Sequence, residues 1–424
     1  MNYKKYKMNG YNLHIMKTDK FKTVTIKIFF KQKIQKETMT IRRVLSETLM
    51  QSSKKYPSRR LLEERCEDLY GVAISSENFK SGIYDVLSFS EVFLNEKYTE
   101  PGMMKESLEF LFQIVCNPDI KQNKFNSYGL DLGMRIIKDD LDSFSDYPTS
   151  YSLARMLENL SPDTPTSYRN CGYMKDLKKI TGQSLYDYYL KVLNEDIMDI
   201  FIIGDIDTET IKQLIDEKFA RKDKKEKGES HFYIEDKIRK MPLVITEKQD
   251  MKQSHLLIGC NFDPLSDFEL RYVLNVYSFI LGGSGDSILF KNVREKNSLC
   301  YDISSSQRML NGLLIIKAGI SAMNYEKVLQ LIMESLESMK RGEFQEEDIL
   351  KAKMIFKNSY IDMFDSPNNI INTYLSHEYL KSDLPDEKLK KIELVTKDMV
   401  IDIANKIHVN TIYLLKGDSY EKKI

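Results

Sequence analysis

Residues 281–303, LGGSGDSILFKNVREKNSLCYDI, concentrate more chemistry than any other stretch of the chain. Gly282, Gly283 and Gly285, with Ser284 among them, lie between two stretches of helical character, where a missing Cβ lets the chain turn sharply and approach another backbone. Arg294 and Tyr301 follow, seven positions apart. A guanidinium and a phenol can each donate a hydrogen bond to an acceptor oxygen. Neither activates water, so the pair assists a reaction rather than carrying one. Phosphate chemistry does not fit the segment. A Walker A loop needs a lysine and a hydroxyl directly after its glycines, whereas Asp286 would face phosphate with like charge. A dinucleotide fingerprint follows a strand, and these glycines follow a helix.

No second motif supplies what the pair lacks. The histidines, His14, His231, His255, His377 and His408, are scattered, and none has another three or four positions away, the spacing that puts two ligands on one helix face. The cysteines, Cys66, Cys116, Cys171, Cys260 and Cys300, are odd in number and form no CxxC pair. That pattern predicts neither a disulfide framework nor a four-cysteine zinc site, and most are expected to be small buried hydrophobes. With 424 residues, 42% of them apolar and 30% charged, the chain can bury about three quarters of its unfolded surface. Lys+Arg 63 balance Asp+Glu 63, which argues against a generally basic nucleic-acid surface or a polybasic membrane surface. No apolar run approaches the roughly 20 residues of a spanning helix. The opening MNYKKYKMNGYNLHIMK lacks the apolar core of a secretory signal, so a cytoplasmic location is expected.

The elements that must position Arg294 and Tyr301 occur twice. In the first half, YNLHIMK and TVTIKIFFK read as paired strands, helices follow near 38–51 and 57–69, SGIYDVLSF reads as a strand, and 103–117 as an amphipathic helix. Long helical regions at about 121–159 and 181–194, a strand at 199–206 and a helix at 208–219 close that half. The charged stretch RKDKKEKGES at 221–230 is the best boundary, with a linker at 221–235. Strands LVITEK and SHLLIGCNF, helices at 267–281 and 287–296, the strand pair CYDISSS and GLLIIKAGI, helices at 324–342, 345–363, 368–380 and 397–407, and the strand at 410–418 repeat the order. Strands mixed with helices on one side predict two α+β domains, 1–220 and 236–424, each a mostly antiparallel sheet packed on helices.

The 281–303 segment, together with this duplication, resembles the C-terminal signature of the pitrilysin or insulinase-like zinc peptidases, the M16 family that includes the mitochondrial processing peptidases. The resemblance implies two homologous pitrilysin-like domains. In active members HxxEH in the first domain binds zinc and activates water, with a further acidic ligand downstream. No HxxEH occurs here. Anchoring the family pattern on KKYPSRRLLEE lays it over RVLSE at 43–47, so that Arg43 and Glu47 stand where the histidines would be and Ser46 where the general base would be. The later acidic position falls on Asp140. An arginine has no lone pair to donate to a metal, and an Arg43–Glu47 ion pair one helical turn apart, supporting the helix by roughly 0.2–0.5 kcal/mol, accounts for the segment without a metal.

Arg294 and Tyr301 match the arginine and tyrosine that in this family reach from the second domain towards substrate at the zinc, with the turn at Gly282, Gly283, Ser284 and Gly285 before them. The resemblance therefore implies a catalytically incomplete subunit that binds no cofactor itself, paired with a homologous HxxEH subunit that holds zinc, around a peptide or unfolded-polypeptide substrate. It further implies a bacterial subgroup linked to peptide maturation or to modification of elongation factor P. A non-enzymatic scaffold or peptide-binding protein of the same fold is the alternative.

Overall fold

The structure, a computed structural model, describes residues 2–220, 234 and 237–417. The linker expected at 221–235 lies outside the described residues except for Ile234. In chain order the strands are β1 Asn2–Lys7, β2 Asn12–Lys17, β3 Thr23–Lys33, β4 Ala73–Ser81, β5 Tyr84–Leu94, the short hairpin β6 Ile120–Lys121 and β7 Lys124–Phe125, β8 Ile197–Gly204, β9 Leu243–Lys248, β10 Ser254–Phe262, β11 Cys300–Arg308, β12 Leu313–Ile320 and β13 Ile407–Lys416. The helices are α1 Met39–Leu49, α2 Arg59–Asp68, α3 Met103–Cys116, α4 Ser127–Asp142, α5 Pro148–Leu160, α6 Met174–Leu177, α7 Gly182–Glu195, α8 Thr208–Phe219, α9 Leu274–Gly282, α10 Tyr325–Lys340, α11 Glu346–Asp362, α12 Pro367–Leu380, α13 Pro385–Glu393 and α14 Lys397–Asn405.

The described residues form two compact units, those within Met1–Ser143, Tyr168–His231 and Asp365–Leu380, and those within Phe144–Ser167, Phe232–Phe364 and Lys381–Ile424. The contiguous domains 1–220 and 236–424 expected from the sequence thus differ from the compact units by two exchanged segments. The physical reason lies in the sheets. In the second unit the order is β11-β12-β10-β13-β9. One face packs Leu256, Ile258, Leu314, Ile316, Ile412 and Leu414 against its own helices. The other face, Leu257, Leu313, Ile315, Tyr413 and Leu415, is equally apolar, and Met156, Leu157 and Leu160 of α5 cover it. Period-2 alternation cannot reveal such a strand, because both faces are dry.

The first unit has the order β1-β2-β8-β3-β5-β4. Strands β2 and β3 are not partners, as their adjacency in sequence suggested. β8 inserts between them, parallel to β2 and antiparallel to β3. Seven of its eight residues are buried, so it takes a central place and leaves the polar β1 and β4 at the edges. The region 121–159 is not one helix either, since a hairpin precedes α4 and Pro148 starts α5 afresh after a turn at 144–146. Of the five free cysteines only Cys260 is buried, correcting the expectation that most would be.

Helix α12 covers the first sheet with a polar network. Tyr379 donates to Asp199 at 2.9 Å, His14 lies 3.1 Å from the same carboxylate and Asn12 donates to it at 2.9 Å. Tyr3 donates to Glu378 at 2.8 Å. Burial would raise the Asp199 carboxyl, but the hydrogen bond and charge of His14, the Lys31 charge and the Asn12 amide hold it down at about 2. A carboxyl held below its unfolded value stabilises the fold above about pH 4 and loses that contribution as pH falls through its folded value. We therefore expect Asp199→Asn to lose about 2 kcal/mol at pH 7 and to show a flatter acid dependence between pH 4 and 2. Urea titrations across that range check this, and a variant as acid-sensitive as the parent would refute the role.

Candidate functional site

Helix α1 presents Arg43 and Glu47 one turn apart on its outer side, while Val44 and Leu45 point into the core. The Arg43 guanidinium lies 3.0 Å from Glu47 and 3.5 Å from Asp140 of α4. All three positions that the family pattern assigns to metal ligands are thus brought together, with a cation in their midst. The approach of α4 to α1 depends on two glycines. A Cβ on Gly133 would lie 2.6 Å from Thr48 Oγ1 and 2.9 Å from Thr48 N, and one on Gly129 would lie 2.6 Å from Ser52 Oγ. That spacing of glycines along α4 is the signal that could have tied Asp140 to α1 from sequence. Ser46, at the general-base position, is buried. Its hydroxyl has no hydrogen-bond partner, and its carbonyl accepts from Ser76 Oγ at 3.3 Å.

This donor set does not fit zinc. An arginine replaces one ligand, a buried hydroxyl replaces the base, and the two remaining carboxylates are already engaged by the guanidinium. Among the described residues, no group of three or more His, Cys, Asp or Glu side chains is placed to hold a metal ion. One position earlier, and unnoticed in the sequence, Arg42 is fully buried, 2.7 Å from Asp196 and 3.6 Å from Asp85. Its neighbour in sequence is therefore a different kind of arginine, a structural tie between α1, β5 and the start of β8.

The second unit assembles the other half of the motif. Two wide helical turns flank the glycines, one at Glu269–Val273 leading into α9 and one at Phe290–Glu295. Such turns insert an extra residue into a helix and recur at functional sites. A Cβ on Gly282 would lie 2.5 Å from the backbone N of Ser305 in β11, so this glycine sets how closely α9 meets the strand. Gly283 backs onto Phe279, where a Cβ would come within 2.6 Å of its Cα, and Gly285 has open space around it. Ser284 Oγ accepts from the backbone N–H of Asp286 at 3.3 Å, and its carbonyl accepts from Ser287 Oγ at 2.6 Å. The turn closes on itself rather than offering free donors to a ligand.

Arg294 ends the wide turn. The chain reverses through Ser298, which has φ 52°, with Ser298 N donating to Arg294 O at 2.9 Å and Leu299 N to Val293 O at 3.1 Å. Strand β11 then starts on a bulge between Cys300 and Asp302, which carries Tyr301, a device that re-aims a side chain at a strand edge. Tyr301 is 77% exposed. The Arg294 guanidinium carbon lies 4.9 Å from the Phe290 ring centre and 5.7 Å from that of Tyr301. Both rings attract the cation and limit its freedom without covering its N–H groups. Phe290 is the member of this group that sequence reading missed. β11 is an edge of its sheet.

The first unit thus offers a metal-motif helix whose ligand positions hold an ion triad, and the second an exposed Arg–Tyr pair on an edge strand. A family model described as Peptidase M16 inactive domain matches residues 179–356. The probable inactive metalloprotease YmfF of Bacillus subtilis (strain 168) is 29% identical over 416 residues, 97% of this chain and 97% of that protein. The structure of a conserved protein from Enterococcus faecalis V583 matches with a TM-score of 0.91 and 27% identity, covering 100% of both chains. That of a peptidase M16 inactive domain from Pseudomonas fluorescens, at 15% identity, shares the fold with a TM-score of 0.79 over 100% of this chain and 99% of its own. The fold is the two-domain pitrilysin-like fold. The family model covers residues 179–356 and the match to YmfF runs along 97% of this chain, so the chain is similar along nearly its whole length to a probable inactive metalloprotease.

Two outcomes test this construction. Gly282→Ala should cost about 2 kcal/mol through overpacking against β11, while Gly285→Ala should be near neutral; equal effects in thermal unfolding would contradict the assigned contacts. Burial raises the Glu47 carboxyl, Arg43 opposes that rise and Asp140 adds to it. A raised carboxyl contributes stability below its unfolded value and loses it as pH rises through the folded one. Arg43→Ala should therefore enlarge the rise, leave stability nearly unchanged at pH 4, and lose on the order of 1 kcal/mol by pH 7. A loss independent of pH would mean that packing, not charge, is the role of Arg43.

Proposed function

We propose that this chain is the catalytically incomplete subunit of a heterodimeric M16-type zinc peptidase and supplies Arg294 and Tyr301 to substrate held by a homologous subunit that carries HxxEH and the zinc. The observation that carries this reading is that the Arg294–Tyr301 pair is exposed and pre-oriented while the ligand positions on α1 are closed by the Arg43–Glu47–Asp140 triad. In this reading Arg294 donates to the scissile carbonyl oxygen as its charge grows, and the Tyr301 hydroxyl donates to the same oxygen or to the substrate backbone. The free edge of β11 favours a substrate in extended form, whose backbone groups an edge strand can satisfy with little demand on sequence.

Reconstitution with the homologous HxxEH subunit is the direct test. Arg294→Ala should lower kcat on the order of 100-fold with a smaller change in KM, and Tyr301→Phe should lower it less. Unchanged kcat and KM for Arg294→Ala would remove the assigned role. A complex inactive over a broad panel of peptides would instead favour a non-enzymatic, peptide-binding scaffold.

A further inference from the structure

Strand β11 carries more than Tyr301. Its outer face presents Asp302, Ser304, Ser306 and Arg308, while Ile303 and Ser305 point into the core. On the neighbouring strand Lys317 pairs with Ser304, and Leu313 pairs with Arg308. Lys317 shares its face with Leu313 and Ile315, the residues on which α5 packs. Arg308 and Lys317 therefore stand at the margin where that helical cover meets the free edge of β11. Both are half-buried, and neither has an ion pair or hydrogen bond among the described residues.

Two cations half-withdrawn from water on one sheet face, four ladder positions apart, are costly unless something answers them. Burial pushes Arg308 down from its ordinary value, and burial and then the neighbouring Arg308 charge push Lys317 down. Asp302 lies on the same face, level with Gly319, and forms no ion pair with Lys317. The one carboxylate of α5 is committed elsewhere, Glu158 to Arg155 at 2.6 Å, and Arg155 also holds Glu247 of β9 at 2.7 Å. A strand added to the open edge of β11 would place alternate side chains on this face, and the hydroxyls of Ser304 and Ser306 leave room beside the cations.

We infer that Arg308 and Lys317 form a carboxylate-binding subsite for an extended peptide laid along the edge of β11. The inference rests on the peptide-binding reading above and adds to it a substrate class, segments with an acidic residue at a fixed distance from the Arg294–Tyr301 pair. Seven residues separate Tyr301 from Arg308, roughly 23 Å of strand, so the acidic position falls about seven residues from the one at the pair.

The test uses the full chain alone and fluorescence anisotropy. The probes are amidated twelve-residue peptides of Thr, Ser and Val with a single Glu walked along the sequence, each matched by its Gln analogue. The expected result is about tenfold tighter binding of the Glu peptide at one register, lost in the double variant Arg308→Gln, Lys317→Gln and kept in Arg308→Lys. Because the double variant also removes a repulsion, it should melt no lower than the parent, which separates lost recognition from lost folding. Equal affinity of Glu and Gln peptides would overturn the subsite and leave edge-strand binding standing. A Glu preference that survives in the double variant would also overturn it. Absence of binding by every peptide would overturn the subsite and the peptide-clamping reading together.

Discussion

Both sheets must be dry on two faces, and most of the structure follows from that constraint. Strands β8, β10, β12 and β13 are buried along nearly their whole length. A helix layer from the same half of the sequence covers one face. The opposite face is closed by a helix from the other half, α5 on the second sheet and α12 on the first. The hydrophobic gain scales with area removed from water, so a wide apolar face left bare would be a large penalty that one amphipathic helix removes. The two covers differ in kind. α5 closes its sheet with Met156, Leu157 and Leu160, whereas α12 uses Tyr379 on a buried Asp199–His14 pair. A hydrogen-bonded polar pair closed off in this way adds little net stability over an apolar contact, but it demands one register and one partner.

The same economy explains the site on α1. Glu47 of α1 and Asp140 of α4 are carboxylates that face each other, and burial disfavours the charged form of Glu47. Placing a guanidinium between Glu47 and Asp140 answers both difficulties without moving α4, whose approach is fixed by Gly129 and Gly133 against Thr48 and Ser52. The pairing of α1 with α4 is thus a packing arrangement with an ion triad at its margin. In the second unit the geometry serves exposure rather than closure. Gly282 brings α9 hard against β11, the wide turn ends at Arg294, and the bulge turns Tyr301 outward, so three backbone irregularities within twenty residues converge on one pair of side chains.

Much of this was legible in the sequence where chemistry is local. The strand pair β11 and β12, the helices α3 and α10, the i,i+4 contact of Arg43 with Glu47 and the juxtaposition of Arg294 with Tyr301 all follow from short-range pattern or from a contiguous motif. What escaped depends on partners far away in the chain. Nothing in YNLHIMK and TVTIKIFFK announces that β8, some 180 residues on, will separate them. The crossing of α5 and α12 between halves escaped for the same reason, since an amphipathic helix shows that it must cover a face but not whose. Arg42 and Arg43 look alike as letters. Only the fold makes the first a buried tie to Asp85 and Asp196 and the second the cation of an outward triad.

An open edge strand invites indiscriminate pairing, and the composition of β11 shows how that is restrained without closing the edge. Its outer face has no large apolar residue between Tyr301 and Arg308, only Asp302, two serines and the arginine itself. The bulge at its start interrupts the ladder where a second sheet would otherwise continue, a common device against edge-to-edge aggregation. A chain in extended form that brings a carboxylate meets none of these obstacles. The composition and the bulge that keep the edge from pairing with itself thus leave its backbone groups open to a chain of different composition.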